Sequence, residues 1–211
     1  MNSKELIEKA IQLSGEPKVI GLLEQFLRAN LVIKDAKFDL SKFVDKYNPY
    51  AFAKGIYHKD GYRYFTDGVV MASIKSEYDA AFEDKIISPK GEIIDTQFPN
   101  WRYAMDRIGI MSELRLQQSI QEICRIVREN EEIAKAGNKK LILSINHDET
   151  LTYFSLRKFS LFLLFLKTYR DAVIYIRDNY CLYACDGENF CITLCQKIDS
   201  NYLDDYMIVP L

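Results

Sequence analysis

The sequence predicts an α+β fold made of two duplicated halves, each a helix followed by an antiparallel sheet, behind an N-terminal helical extension. Three observations carry this. Phe38-Asp-Leu40-Ser-Lys42-Phe43 matches Phe154-Ser-Leu156-Arg-Lys158-Phe159. Farther on, Tyr64, Asp67 and Gly68 align with Tyr183, Asp186 and Gly187, in the same order and at nearly the same spacing. Each first match opens a helix, and three strand-like runs follow each helix. Two ordered matches within one repeated pattern argue for a duplicated unit. A sheet and a helix from each half can close one core that neither half closes alone. The expected division is an extension over 1–29 and a domain over 30–211, with halves 30–110 and 111–211.

The extension rests on two amphipathic runs. Asn2 and Glu5 have capping-box spacing, and Leu6, Ile7, Ala10 and Ile11 share one helical face. Gly15 and Pro17 break that helix, and Val19, Ile20, Leu23, Phe26 and Leu27 make a second face. This pair is read either as a packed subdomain or as an arm that docks on a partner.

In the first half a short helix is expected over Leu40 to Tyr47, ending near Pro49. Strands follow at Phe52 to His58, Tyr62 to Thr66 and Val69 to Lys75. Lys59-Asp60-Gly61 and Asp67-Gly68 are the turn signals between them. Residues 84–101 read as irregular, with a turn at Ser88-Pro89-Lys90-Gly91.

In the second half a long helix is expected to open at Ser112 as its N-cap and stop at Gly137. Leu116, Ile120, Ile123, Cys124 and Val127 form its apolar stripe. Leu141 to Ile145 and Leu151 to Phe154 read as a hairpin around Asn146-His147-Asp148. Ser155 opens a third helix through Tyr169, apolar on more than one side at Leu161, Leu164 and Phe165. Strands follow at Val173 to Arg177, Tyr180 to Cys185 and Phe190 to Gln196, with a last one at Tyr206 to Pro210. The expected core comprises Leu40, Phe43, Phe98, Trp101, Leu156, Phe159 and Leu163.

Composition excludes more than it selects. Hydrophobic residues make up 48% and charged residues 27% of 211 residues, ordinary for a globular chain. The net charge of -2 advertises no nucleic-acid binding, although a basic stripe can sit on an acidic body. The first residues lack a basic start followed by an apolar block, so no signal peptide is expected. The strongest apolar run, Phe159 to Leu166, lies between Lys158 and Lys167 and is far shorter than the ~20 residues of a membrane span. A cytoplasmic protein with reduced cysteines and no membrane partner is expected.

Three segments together resemble the bacterial DNA sliding clamp, the beta subunit of DNA polymerase III. Thr66-Asp67-Gly68 between two strands is similar to that family's Thr-Asp-Gly-His-Arg-Leu signature. Gln97-Phe98-Pro99-Asn100-Trp101-Arg102 resembles its Phe-Pro-Asp-Tyr-Arg segment. Tyr206 to Leu211 is similar to its closing strand with Met-Pro-Met. A clamp domain is itself built of two helix-plus-sheet halves. The departures are Val69 and Val70 in place of His and Arg, Met71 in place of Leu, and an end at Leu211 without the family's final Arg-Leu. In the family those positions line a pocket for short polymerase peptides.

The resemblance implies a non-enzymatic accessory module of DNA replication that holds duplex DNA weakly and without sequence preference. Its other implied partners are replication or repair proteins. The alternative is a protein-interaction module that keeps the clamp fold without encircling DNA. Clamps present Lys and Arg to phosphates without reading bases. The candidates here are Lys42, Lys46, Arg125, Arg128, Lys139, Lys140, Arg157 and Lys158. Glu113, Glu122, Glu129, Glu131 and Glu132 interrupt them. By the same resemblance, a contact between protomers would use Thr66, Val69, Val70, Met71, Val209, Pro210 and Leu211. A monomer or dimer is expected rather than a ring.

No cofactor or metal is expected. Cys181, Cys185, Cys191 and Cys195 alternate with strand residues, and positions four apart on a strand are separated by about 13 Å. Zinc needs its sulfurs at about 2.3 Å in a tetrahedron, so small apolar strand residues are the better reading. His58 and His147 have no nucleophile motif beside them, and no phosphate-binding or zinc-protease signature is present. Trp101, with Phe98, Pro99 and Tyr103, is either a buried anchor or a stacking platform for unpaired bases.

Overall fold

The computed structural model describes residues 38–106 and 108–211. The helices expected over 1–29 lie outside the described residues. The described residues form two compact units. One holds the residues up to Asp67 with Ser73–Pro99, the other Gly68–Ala72 with Asn100–Leu211.

The first unit opens on a 3-10 turn, Leu40–Phe43, capped by Asp39, whose carboxylate accepts from the Ser41 N–H at 3.0 Å. The expected helix to Tyr47 does not form. One side chain outcompetes it locally: Asp45 accepts from the Tyr47 N–H at 2.9 Å, and beyond the expected end Asn48 accepts from the Tyr50 N–H at 2.9 Å. A second 3-10 turn, Ala51–Lys54, takes the place of the expected strand start at Phe52. Gly55 follows because a Cβ there would sit 2.7 Å from both Ile86 Cγ2 and the Ile87 carbonyl oxygen.

Strand β1 (Ile56–Lys59) and β2 (Tyr62–Thr66) pair antiparallel. Asp60 and Gly61 between them both have positive φ, 53° and 78°. That is the two-residue turn that matches strand twist. Residues expected to be irregular contain β4 (Lys85–Ile87), paired with β1, and β5 (Ile93–Ile94), paired with β4. The turn at Ser88 forms: Gly91 N–H donates to the Ser88 carbonyl at 2.9 Å. Strand β3 (Val70–Lys75) is divided between the units, its last residues belonging to the first. On one face of the β1–β2 hairpin, Phe65 packs against Phe43, which packs against Phe38. On the other face Tyr57 stacks on Phe98, with centroids 4.7 Å apart.

The second unit begins with helix α1 (Trp101–Asp106). Ser112 does not cap a helix. It lies in strand β6 (Ser112–Glu113), paired to Ile176 of β9 (Val173–Arg177). Helix α2 (Ile120–Ala136) opens instead at Ser119, whose Oγ accepts from the Glu122 N–H at 3.2 Å. Leu116 therefore falls outside the helix. Gly137 ends it, its N–H reaching the Ile133 carbonyl at 3.0 Å.

Strands β7 (Lys140–His147) and β8 (Thr150–Ser155) form the expected hairpin, turning on Asp148 and Glu149 at φ 45° and 63°. The turn sits two residues later than the sequence suggests. Helix α3 (Leu156–Thr168) starts at Ser155, as read from the sequence. Strands β9, β10 (Cys181–Cys185) and β11 (Phe190–Leu194) form an antiparallel meander. Strand β12 (Tyr206–Pro210) returns parallel to β7.

This unit thus has one run of strands ordered β11-β10-β9-β6 and a three-stranded sheet ordered β12-β7-β8. Helix α3 packs on β7 and β8 and also on β11. Contact on two sides explains its broad apolar surface: Phe159, Phe162, Leu163, Phe165 and Leu166 are all buried. Helix α2 packs on α3, β7 and β12 through Ile123, Val127 and Ala134. Of the expected core, Trp101 and Leu156 are only half-buried. The Trp101 ring leans on Phe190 at 5.5 Å, with the Arg102 guanidinium over it.

Candidate nucleic-acid interface

The candidate phosphate contacts lie on several elements. In the first unit Lys42 and Lys46 are exposed, and Lys46 Nζ sits 4.7 Å from the Tyr47 ring centre. In the second unit Arg125 and Arg128 point outward from α2. Lys139 and Lys140 are exposed at the start of β7, with Lys140 Nζ over the Tyr206 ring at 5.9 Å. Arg157 and Lys158 belong to the first turn of α3, and Lys158 is half-buried.

The electrostatics of α2 are mixed. Arg125 is held by Glu129 at 2.9 Å and approached by Glu122 at 3.7 Å. Lys135 is held by Glu131 at 3.1 Å and Glu132 at 3.4 Å. The Glu131 carboxylate, foremost, raises the Lys135 pKa. Four glutamates against three cations leave α2 without a positive stripe. The sequence displays the arginines, but only helical neighbourhood shows that carboxylates already engage them.

The segments expected to meet another protomer are largely enclosed. Thr66, Val70, Met71 and Val209 are buried within the chain. Val69 is 38% exposed, and its carbonyl accepts from the Leu194 N–H at 2.9 Å. Pro210 is exposed, and the Leu211 N–H donates to the Ser144 carbonyl at 2.9 Å.

His147 Nδ1 lies 3.2 Å from Asp178 Oδ1, so the ring ties the β7–β8 turn to the β9–β10 turn. His58 is fully buried. The hairpin cysteines do not converge. Cys191 pairs with Ala184, which places it on the opposite face from Cys181 and Cys185. Burial raises the Cys181 thiol to about 12 and raises Cys191 further. Among the described residues, no group of three or more His, Cys, Asp or Glu could hold a metal. Among them also, no helix is long and apolar enough to cross a membrane.

One feature of the surface escapes the sequence reading. Tyr47 and Tyr50 are 81% and 56% exposed, and Tyr50 stacks flat on Phe52 at 5.3 Å. The usable signal was the string Lys46-Tyr47-Asn48-Pro49-Tyr50, a turn-former flanked by aromatics and a base.

No family model and no curated protein matches the sequence. Solved structures do match the fold. One is the DNA polymerase III subunit beta of Pseudomonas aeruginosa, with TM-score 0.54, 11% identity, and coverage of 82% of this chain and 65% of that one. Another is a sliding clamp, also a DNA polymerase III subunit beta, from Bartonella birtlesii bound to griselimycin. It has TM-score 0.51, 12% identity, and coverage of 82% and 64%. The chain has a sliding-clamp-like fold, as the resemblance implied. It spans about 65% of the length of the clamp from Pseudomonas aeruginosa.

Proposed function

We propose that the chain is a non-enzymatic, cytoplasmic, clamp-like accessory module of DNA replication. It holds duplex DNA through dispersed cations, without a cofactor or metal. The observation that carries this reading is the clamp-like fold over 82% of the chain. The contacts would come from Lys42, Lys46, Arg125, Arg128, Lys139, Lys140, Arg157 and Lys158. Lysines and arginines dispersed over several elements can meet phosphates but do not form a dense base-reading set, so binding is weak, salt-sensitive and indifferent to sequence. In this reading 30–110 and 111–211 descend from one duplicated helix-plus-sheet unit, and 1–29 is a helical extension.

A second reading is a protein-interaction module that keeps the fold without encircling DNA. The glutamates paired to Arg125 and Lys135 favour it, because they oppose an approaching phosphate. Replication or repair proteins would then be the partners. Assembly is monomeric or dimeric in both readings. The burial of Val70 and Met71 leaves little apolar surface for a seam built on that strand.

Light scattering with and without a DNA duplex, at two salt concentrations, tests the first reading. A complex with duplex that weakens steeply with salt supports it. A mass unchanged by duplex at low salt overturns it and leaves the interaction module.

A further inference from the structure

We propose that the loop from Lys42 to Lys54 is a stacking site for single-stranded nucleic acid. The proposal concerns this loop of the first unit alone. It does not rest on duplex holding or on a ring.

Exposure comes first. Tyr47 is 81% and Tyr50 is 56% exposed, three positions apart on one loop. Single exposed apolar residues are ordinary, but two outward aromatic rings on one short loop are not. Tyr50 is backed by Phe52, with 7° between ring planes, so its outer face stays open while its inner face is filled.

The rings are also presented by a fixed backbone. Asp45 and Asn48 hold the Tyr47 and Tyr50 N–H groups, and the Ala53 N–H donates to the Tyr50 carbonyl at 3.1 Å. A ligand that stacks there meets rings whose backbone is already ordered, which lowers the cost of binding.

Charge selects the occupant. Residues 42–54 carry Lys42, Lys46 and Lys54 against Asp45 alone, within a chain of net charge -2. The Asp45 carboxylate is turned onto its own backbone. Lys46 stands over the Tyr47 ring at 4.7 Å, so cation and ring share one small area. A polyanion with exposed flat faces matches both features. A duplex offers the phosphates but hides its base faces in the stack, whereas an unpaired strand offers both.

Fluorescence anisotropy of the full chain with labelled oligo(dT), an abasic strand of equal length and a duplex tests this. The variants are Tyr47→Ala, Tyr50→Ala, Tyr47→Phe, Tyr50→Phe and Lys46→Gln, each with its thermal melt measured. Both tyrosines point outward, so the melts should stay close to the parent. Oligo(dT) should bind more tightly than the abasic strand. Each Ala variant should weaken oligo(dT) roughly tenfold, as the loss of one stacked base predicts. The Phe variants should retain binding, and Lys46→Gln should flatten the salt dependence. No oligo(dT) binding at low salt, equal binding of the abasic strand, or Ala variants indistinguishable from the parent would each overturn the proposal.

Discussion

His58 and Arg63 face each other across the β1–β2 hairpin, and both are closed off from solvent, at 0% and 1% exposure. Arg63 Nη2 donates to the Glu77 carbonyl at 2.7 Å. His58 lies edge-on to Tyr78, with centroids 5.0 Å apart, and near Phe82 at 5.5 Å. Neither of its ring nitrogens has a hydrogen bond of good geometry. Burial, and then the Arg63 charge, lower its pKa from 6.5 to about 4. Backbone groups of Lys85 and Ile56 and the Glu83 carboxylate pull the other way and are outweighed.

That depression fixes the sign of a pH dependence. Between pH 6.5 and about 4 the unfolded chain takes a proton on His58 and the folded chain does not. Stability from this group is complete above 6.5, falls as pH drops, and levels off below the folded value. The loss is about 3 kcal/mol over the window. His58→Phe keeps an aromatic ring between Tyr78 and Phe82 and removes the titration. Denaturant unfolding from about pH 7 to pH 4.5 should therefore show the parent falling more steeply than the variant. Equal slopes would show that His58 is not buried in its neutral form.

The two serines that could open α2 make a second contrast. Ser119 accepts from the Glu122 N–H, whereas Ser112 is a strand residue paired with Ile176. Ser119→Ala should cost about 1 kcal/mol, the usual worth of an N-cap. Ser112→Ala, exposed on β6, should stay within about 0.5 kcal/mol of the parent. Chemical denaturation of both variants checks the order. A larger loss at Ser112 would return the helix start to that residue.

This contrast also marks what the sequence makes legible. Strands β9 and β12, helix α3 and the Asp60-Gly61 turn were readable because local pattern alone specifies them. The start of α2 was not, although Ser119 and Glu122 have capping-box spacing. What removes Ser112 from the helix is pairing with β9, more than sixty positions away. The missing continuation of the Leu40–Phe43 turn to Tyr47 has a local cause in Asp45, whose side chain takes the Tyr47 N–H. The candidate site divides in the same way. Its cations were visible as letters, but the carboxylates that hold Arg125 and Lys135 count only once the helix phases them. The exposure of Tyr47 and Tyr50 follows from those Asx turns and not from hydrophobic pattern.

Packing gives a third prediction. Phe159 is fully buried on α3 among Phe154 and Phe162, while Trp101 is half-buried, with its ring tilted against Phe190 and under the Arg102 guanidinium. Phe159→Ala removes a ring the fold cannot easily collapse around and should cost about 3–5 kcal/mol. Trp101→Ala removes a half-buried ring and should cost roughly 1–2 kcal/mol. Thermal melts of the two variants should separate clearly. A larger loss at Trp101 would make it the enclosed anchor that the sequence alone allows.

The surface of α2 decides between the two proposed functions. A phosphate that meets Arg125 competes with the carboxylates of Glu129 and Glu122, at 2.9 and 3.7 Å. Both pairs are exposed, and such pairs contribute about 0.2–1 kcal/mol, so the restraint on Arg125 is small and mutable. The double variant Glu122→Gln with Glu129→Gln removes two negative charges beside Arg125 and leaves the buried face of Ile123 and Val127 intact. Its melting temperature should stay close to the parent's. If α2 meets duplex DNA, the variant should bind more tightly, and its log affinity should fall more steeply with log salt, by about 0.9 per phosphate gained. Arg128→Gln should shift both quantities the other way. Titrations of one duplex at three salt concentrations read both numbers. Affinity and slope identical in parent, double variant and Arg128→Gln would take α2 out of any DNA contact. The glutamates would then be a surface made for a protein partner, and the interaction-module reading would stand ahead of the clamp-like one.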